Sequence, residues 1–222
     1  MKNKHRPTLY LIGGLARTGK SKVMRAVMRL RHVAAASTDT TRAAIRKVLT
    51  GESYIAIHEA RFRGKISFHR PGSLKVHHLT ISKDHWNEDE MTWQGILGLI
   101  ETHDRHRANL LIEGIAITPE RVRRLRLKNL RVRAVFLGYE HESHLESILA
   151  YSRKKKDWIN TVIKEHGGDD TPVRKSVQEG IAKSSKLRKQ ARKLGYGYFD
   201  VSKRPFKAQI KAATTYLTRG GW

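Results

Sequence analysis

The sequence predicts an open α/β fold in which a parallel sheet is flanked by helices, and three observations predict it. A glycine-rich loop with the spacing G-x-x-x-x-G-K-S, at 14–21, lies between an apolar run and a helical pattern. Apolar runs of strand length then alternate with amphipathic stretches to the end of the chain, the order that builds parallel sheets through crossover helices. The 222 residues suit one such domain with an inserted segment better than two full domains.

The apolar run at 9–12 forms the first strand, and the loop follows it directly. Its glycines let the backbone curl until successive N–H groups converge on one anion. Gly14, Ala16, Arg17, Thr18 and Gly19 are therefore candidate phosphate contacts. Lys20 adds a point charge for β- and γ-phosphates, and the Ser21 hydroxyl can hold Mg²⁺. A helix starting at Lys20 aims the positive end of its dipole at the same anion. The competing reading is a glycine-rich turn before a helix; the strand and helix on either side favour phosphate binding. Val23, Ala26, Val27 and Leu30 fall at helical spacing and carry the helix to about residue 31.

A second strand at 33–37 ends in Ser37, Thr38 and Asp39, before a helical pattern with Ala44, Ile45, Val48 and Leu49. In an open parallel sheet the carboxyl ends of the strands open onto the ligand crevice, which would put Asp39 beside a metal or an acceptor. Its residue type and place also suit a helix N-cap. Residues 51–90 are rich in histidine and read as an inserted segment on the acceptor side, with a hairpin turn at Pro71-Gly72. They show no recognised metal-ligand spacing, which favours unliganded histidines.

Trp93, Ile96, Leu97 and Ile100 mark the next helix, and 109–113 read as a buried strand ending in the carboxylate of Glu113. Glu113 can orient Mg²⁺ through water or pair with a basic neighbour. Thr118 and Pro119 form an N-cap and first helical position for a basic helix through residue 127, and 132–137 supply a fourth strand. The helix carrying Leu145, Ile148 and Leu149 runs into Arg153 and Lys154, and then reaches Gly167 and Gly168. Residues 151–172 are thus a lid candidate, with cations that can close over a phosphate, or else a solvated basic face or nucleic-acid patch. A long helix from Val173 to Gly195, a fifth strand at 198–201 and a helix with Phe206, Ile210, Ala213 and Leu217 complete the chain.

Lys and Arg number 45 against 20 Asp and Glu, a formal charge of +25 that attracts polyanions or reflects a generally basic surface. The chain has 0 cysteines, which excludes disulfides and thiolate metal sites and permits a reducing compartment. No apolar run reaches the length of a membrane span. The first residues imitate a signal peptide, but their apolar run leads straight into the phosphate loop, so a cytoplasmic location is expected.

Together, the loop at Gly14, Gly19, Lys20 and Ser21, the Ser37, Thr38, Asp39 and Arg42 set, the strand ending in Glu113-Gly114 with Thr118-Pro119, and the 198–202 stretch resemble one group of proteins. This is the P-loop kinase group that contains 2-phosphoglycerate kinase, adenylate-kinase-like small-molecule kinases and the zeta toxins. The resemblance spans nearly the whole chain except 51–90. It implies a P-loop NTPase fold over 1–222, with a five-stranded parallel sheet in the order 2-3-1-4-5, and it implies ATP and Mg²⁺ as cofactors. It also implies transfer of the γ-phosphoryl group to a hydroxyl of a small, anionic phosphoacceptor.

By position, Lys20 and the loop amides would hold the β- and γ-phosphates, and Ser21, with Asp39 and Glu113, would hold the metal. Asp39 would otherwise accept the acceptor's proton, and Arg42 would hold an anionic group of the acceptor. Arg153 and Lys154 match lid cations, and the 202–205 stretch, with Lys203 and Arg204, lies where adenine is held.

Two alternatives stand beside this reading. One is a polynucleotide-end kinase, in which basic and aromatic residues such as Arg61, Phe62 and Arg63 track a nucleic-acid backbone. The other is an ATP-binding regulatory or toxin-like protein without transferase activity. Under the first alternative, oligonucleotide affinity should fall with salt, with a log–log slope of about −0.7 per single-strand phosphate neutralised. Fluorescence anisotropy at several ionic strengths measures that slope, and salt-insensitive or absent binding removes this alternative.

Overall fold

The computed structural model describes residues 6–48, 88–155, 158–203 and 205–219. Strand β1 (Thr8–Gly14) leads through the glycine-rich loop into α1 (Lys20–Arg31), then β2 (Ala34–Ser37) and α2 (Thr38–Val48). Helix α3 (Glu88–His106), β3 (Leu110–Gly114), α4 (Pro119–Arg124) and β4 (Arg131–Gly138) follow. Helices α5 (Ser143–Lys155), α6 (Trp158–Glu165) and α7 (Thr171–Lys193) precede β5 (Gly197–Asp200) and α8 (Phe206–Thr218). The hairpin expected at Pro71-Gly72 and the histidine-rich segment lie outside the described residues, as do Arg204 and residues 220–222.

All five strands pair in parallel, in the order β2-β3-β1-β4-β5, the order expected. β1 lies at the centre with every residue buried, between β3 and β4. A strand covered on both faces has no solvent side to keep polar, which is why it reads as a continuous apolar run. Its side chains divide strictly by parity. Leu9 and Leu11 join Leu110, Ile112, Ala134 and Phe136 under α3 and α4, while Tyr10 and Ile12 join Leu111, Val135 and Leu137 beneath α1, α5 and α8.

The helices follow the same logic of one buried stripe each. α1 buries Val23 and Val27, but Leu30 in its last turn is 61% exposed, beyond the stripe that the spacing predicts. α4 starts as expected, with the Thr118 hydroxyl accepting the Arg121 backbone N–H at 3.3 Å. It ends at Arg124, short of the predicted 127, because Leu125 turns extended and the Asp104 carboxylate captures the N–H groups of Lys128, Asn129 and Leu130. Amides held by that carboxylate cannot continue a helix.

Gly114 is the tightest join between the sheet and α2. At φ +152° it takes a backbone conformation unsuited to other residues, and a Cβ there would lie 1.7 Å from the hydroxyl oxygen and 2.6 Å from the Cβ of the fully buried Thr38. Gly114→Ala should therefore destabilise the fold by about 3 kcal/mol, lowering the thermal midpoint by roughly 6–12 °C. Gly98→Ala, in α3 where no atom lies within 4 Å of the new methyl, should instead add about 0.5–1 kcal/mol through helix propensity. Thermal and urea melts of the two variants check both signs.

Candidate functional site

The phosphate loop is shaped by where its carbonyls are tied. Leu15 N–H donates to the Leu137 carbonyl of β4 at 3.2 Å, and a Cβ on Gly14 would lie 2.0 Å from that same oxygen. Only glycine lets the loop leave β1 so close to β4. The Leu15 carbonyl then accepts two bonds, from the Thr18 hydroxyl at 2.8 Å and from Lys20 Nζ at 2.6 Å. The first bond into the helix runs from Lys22 N–H to the Gly19 carbonyl at 2.9 Å. The amides before it belong to the first turn and have no acceptor within the helix, so they form an anion-binding end.

Lys20 is 8% exposed, and its burial pushes the ammonium's pKa down. The nearby Glu113 and Asp39 carboxylates oppose that shift. Glu113, itself 5% exposed, accepts a bond from the Ser21 hydroxyl at 3.3 Å. β3 and α1 thus bring a hydroxyl and a carboxylate side by side next to the loop, two hard oxygen donors of the kind Mg²⁺ takes. Among the described residues no group of three or more His, Cys, Asp and Glu could hold a metal alone. A magnesium ion here would rest on these two oxygens together with water and phosphate, which is how this ion is usually held.

Asp39 is the second residue of α2, and its backbone N–H donates to the Ser37 hydroxyl at 3.2 Å. It is therefore inside the helix rather than its cap, and its side chain is 73% exposed and lines the cavity. Arg42 stands one turn further on, 3.7 Å from the Asp39 carboxylate, and is joined to the site through that contact.

The cavity has a volume of about 930 Å³, the upper range of small-molecule sites. Ala16, Arg17, Gly19, Lys20 and Ser21 form its floor, with Lys22 and Arg25 along α1. Asp39, Glu113 and Ile115 close one side. α5 supplies the facing wall through Ser143, His144, Ser147, Ile148 and Tyr151, which recur at helical spacing. The end wall is Val201, Ser202, Pro205 and Phe206, with Lys22 Nζ 4.9 Å from the Phe206 ring centroid. Asp200 shapes this end: its Oδ1 accepts both the backbone N–H and the hydroxyl of Ser202, and the same hydroxyl accepts the Glu140 N–H at 3.1 Å.

The structure thus brings together Ala16, Arg17, Gly19, Lys20, Ser21, Asp39 and Glu113 around one space. Thr18 is fully buried and braces the loop from behind. Lys203 is exposed in the turn after β5, between two residues that line the cavity. Arg153 and Lys154 occupy the last turn of α5, and their side chains lie outside the described residues. Beyond them, α6 buries Ile159 in the core, and the turn to α7 contains Gly167 and Gly168 at positive φ. Sequence reading passed over His144, Tyr151 and Phe206, which look like ordinary members of amphipathic helices; only the 4-residue repeat of Ser143, Ser147 and Tyr151 hints at a lining face.

A phosphate loop at the carboxyl edge of a parallel sheet in this order defines the P-loop NTPase fold, and here the fold is that of the P-loop kinases. No protein family and no curated protein matches the sequence. Solved structures do resemble it. Shikimate kinase from Bacteroides thetaiotaomicron superposes with a TM-score of 0.54 at 14% identity, over 95% of this chain and 96% of that one. A gluconokinase from Sinorhizobium meliloti 1021 superposes at 0.51 with 16% identity, over 97% of this chain and 94% of that one. At such identities the likeness is one of fold. No helix among the described residues is long and apolar enough to cross a membrane.

The depressed Lys20 pKa has a measurable consequence. A bound polyphosphate favours the charged ammonium, so between the lowered value and that of the complex, binding must take up a proton. Affinity for ATP, used as a polyphosphate probe, should be level at lower pH and then fall, by up to about tenfold per pH unit, as pH rises through the lowered Lys20 pKa. In the absence of ligand the sign reverses: the unfolded chain holds more protons up to the ordinary lysine value of 10.5, so stability contributed at this site rises with pH. Calorimetric titrations from neutral to alkaline pH, in buffers of different ionisation enthalpy, read the proton uptake directly.

Proposed function

We propose that the chain is an ATP-dependent phosphotransferase that moves the γ-phosphoryl group of ATP to a hydroxyl of a small, anionic metabolite. The observation that carries this reading is the convergence of four groups on one cavity. They are the buried Lys20, the loop amides, the Ser21–Glu113 oxygen pair and Asp39 on the neighbouring helix. The volume accommodates a nucleotide and a small acceptor together.

In this reading the acceptor hydroxyl oxygen bonds to the γ-phosphorus as the bond from that phosphorus to the β,γ-bridging oxygen breaks. ADP leaves, and the hydroxyl proton passes to Asp39. Lys20 and the first-turn amides of α1 hold the phosphates and neutralise charge that moves onto the bridging oxygen. Ser21 and Glu113 would hold Mg²⁺, which when bound adds further charge neutralisation at the phosphates. Arg42 keeps Asp39 oriented, and with Arg25 on the cavity wall it favours an acceptor carrying negative charge. Val201, Pro205 and Phe206 offer the apolar surfaces that a purine ring needs. Arg153 and Lys154, at the end of the helix that forms the facing wall, serve as the lid cations of the 151–172 region.

Phosphoryl transfer from γ-labelled ATP with Mg²⁺ tests this against a panel of 2-phosphoglycerate, other phosphorylated acids, sugars, nucleosides and 5′-hydroxyl oligonucleotides. A labelled small molecule is expected. Lys20→Ala should lower kcat/KM by on the order of a hundredfold or more with the fold intact, and Asp39→Asn should lower kcat with little change in ATP affinity. Label on the oligonucleotide alone would make the protein a polynucleotide-end kinase, and ATP binding without transfer would make it a regulatory protein. Full activity in Lys20→Ala would overturn the mechanism.

A further inference from the structure

Arg17 has a backbone conformation that its side chain disfavours. It sits in the middle of the phosphate loop at φ +64°, in the left-handed region where a Cβ crowds the following carbonyl oxygen. A non-glycine residue remains there only when its surroundings hold it. The loop needs that turn, because it separates the Leu15 carbonyl, which faces Lys20, from the amides that open onto the cavity.

The group that holds it is on α5. His144, the second residue of that helix, is 5% exposed, and its Nε2 lies 3.2 Å from the Arg17 carbonyl oxygen. A carbonyl can only accept, so Nε2 carries the proton. The imidazole is itself fixed, stacked on the Tyr139 ring at a centroid distance of 4.7 Å and an interplanar angle of 29°. Tyr139 follows the last residue of β4, and its backbone N–H is tied to the Ser184 hydroxyl at 2.9 Å. A second contact joins the same two elements, since the Arg17 guanidinium lies over the Tyr151 ring, 5.7 Å from its centroid. Burial also lowers the His144 pKa, against the pull of the Arg17 carbonyl and the Asp200 charge, which favours a neutral ring with one proton to place.

We propose that His144 is a positioning residue for phosphate binding, its bond to the Arg17 carbonyl holding a non-glycine residue in the left-handed conformation that the loop requires. His144 acts through the loop and does not touch phosphate. The inference rests on the reading of this cavity as an ATP site. It explains why a buried imidazole, rather than an aliphatic side chain, faces the loop from the helix that forms the opposite wall.

The test separates backbone holding from packing. His144→Phe keeps a ring on Tyr139 and removes the N–H, whereas His144→Gln keeps a donor on a different frame. Affinity for Mg·ATP is measured by calorimetry for His144→Phe in two backgrounds, Arg17→Ala and Arg17→Gly, both of which lack the guanidinium. Only the alanine still resists the left-handed conformation. His144→Phe should weaken binding by about tenfold in the alanine background and by less than about threefold in the glycine background, and His144→Gln should restore most of the affinity. Thermal melts establish that each variant is folded.

Equal losses in the two backgrounds would show that His144 acts through packing alone, and no loss in either would show that the loop holds itself; each result overturns the proposal. Failure of the unaltered protein to bind Mg·ATP would overturn the nucleotide reading and this inference with it. That outcome is distinct, because it appears before any substitution is made.

Discussion

The Leu15 carbonyl is the point on which the site turns. An ammonium group buried to the extent of Lys20 needs an oxygen to face it, or it gives up its charge. The Leu15 oxygen meets that need, and the N–H of the same residue is bonded to β4, which anchors the loop as it leaves the sheet. The same oxygen receives the Thr18 hydroxyl, so one peptide group fixes both ends of the turn before the helix. The loop that holds this cation, at 8% exposure, springs from a strand that β3 and β4 brace on both sides.

The fold was legible where short-range chemistry determines it. Apolar runs long enough for one strand, a glycine spacing that admits few backbone paths and helical stripes such as Ile96 and Ile100 each carry their outcome locally. Long-range capture was illegible. The end of α4 is set by the Asp104 carboxylate, 24–26 residues away in sequence, and no local propensity at 125–127 announces it. The site divides along the same line. Lys20, Ser21, Asp39 and Glu113 could be read because their residue types mark the ends of strands and the start of a helix. His144 and Phe206 could not, because a histidine beside Leu145 and a phenylalanine in an apolar stripe look like packing until the opposite wall is in place.

Charge is distributed unevenly in purpose as well as in number. Lys and Arg number 45 against 20 Asp and Glu, and those on exposed helix faces are solvated and screened. Inside the cavity the basic side chains of Arg17, Lys20, Lys22 and Arg25 stand with two carboxylates, Asp39 and Glu113, both of which act on Lys20. A polyanion approaching the molecule meets a positive field at long range, and at the cavity a mainly basic lining interrupted by two carboxylates. A long-range field of that kind speeds the arrival of anions, and a mixed-sign lining discriminates among them at contact.

The contact between Gly114 and Thr38 also acts as a fixed spacer. Glu113 immediately precedes that glycine and Asp39 immediately follows that threonine, so the separation of their two backbone positions is set by a glycine against a buried side chain. The acids themselves can change in type, and with them the chemistry at the cavity edge, while the gauge between them stays the same. Substitutions at 39 and 113 should therefore alter the chemistry at the cavity edge without moving the two backbone positions apart.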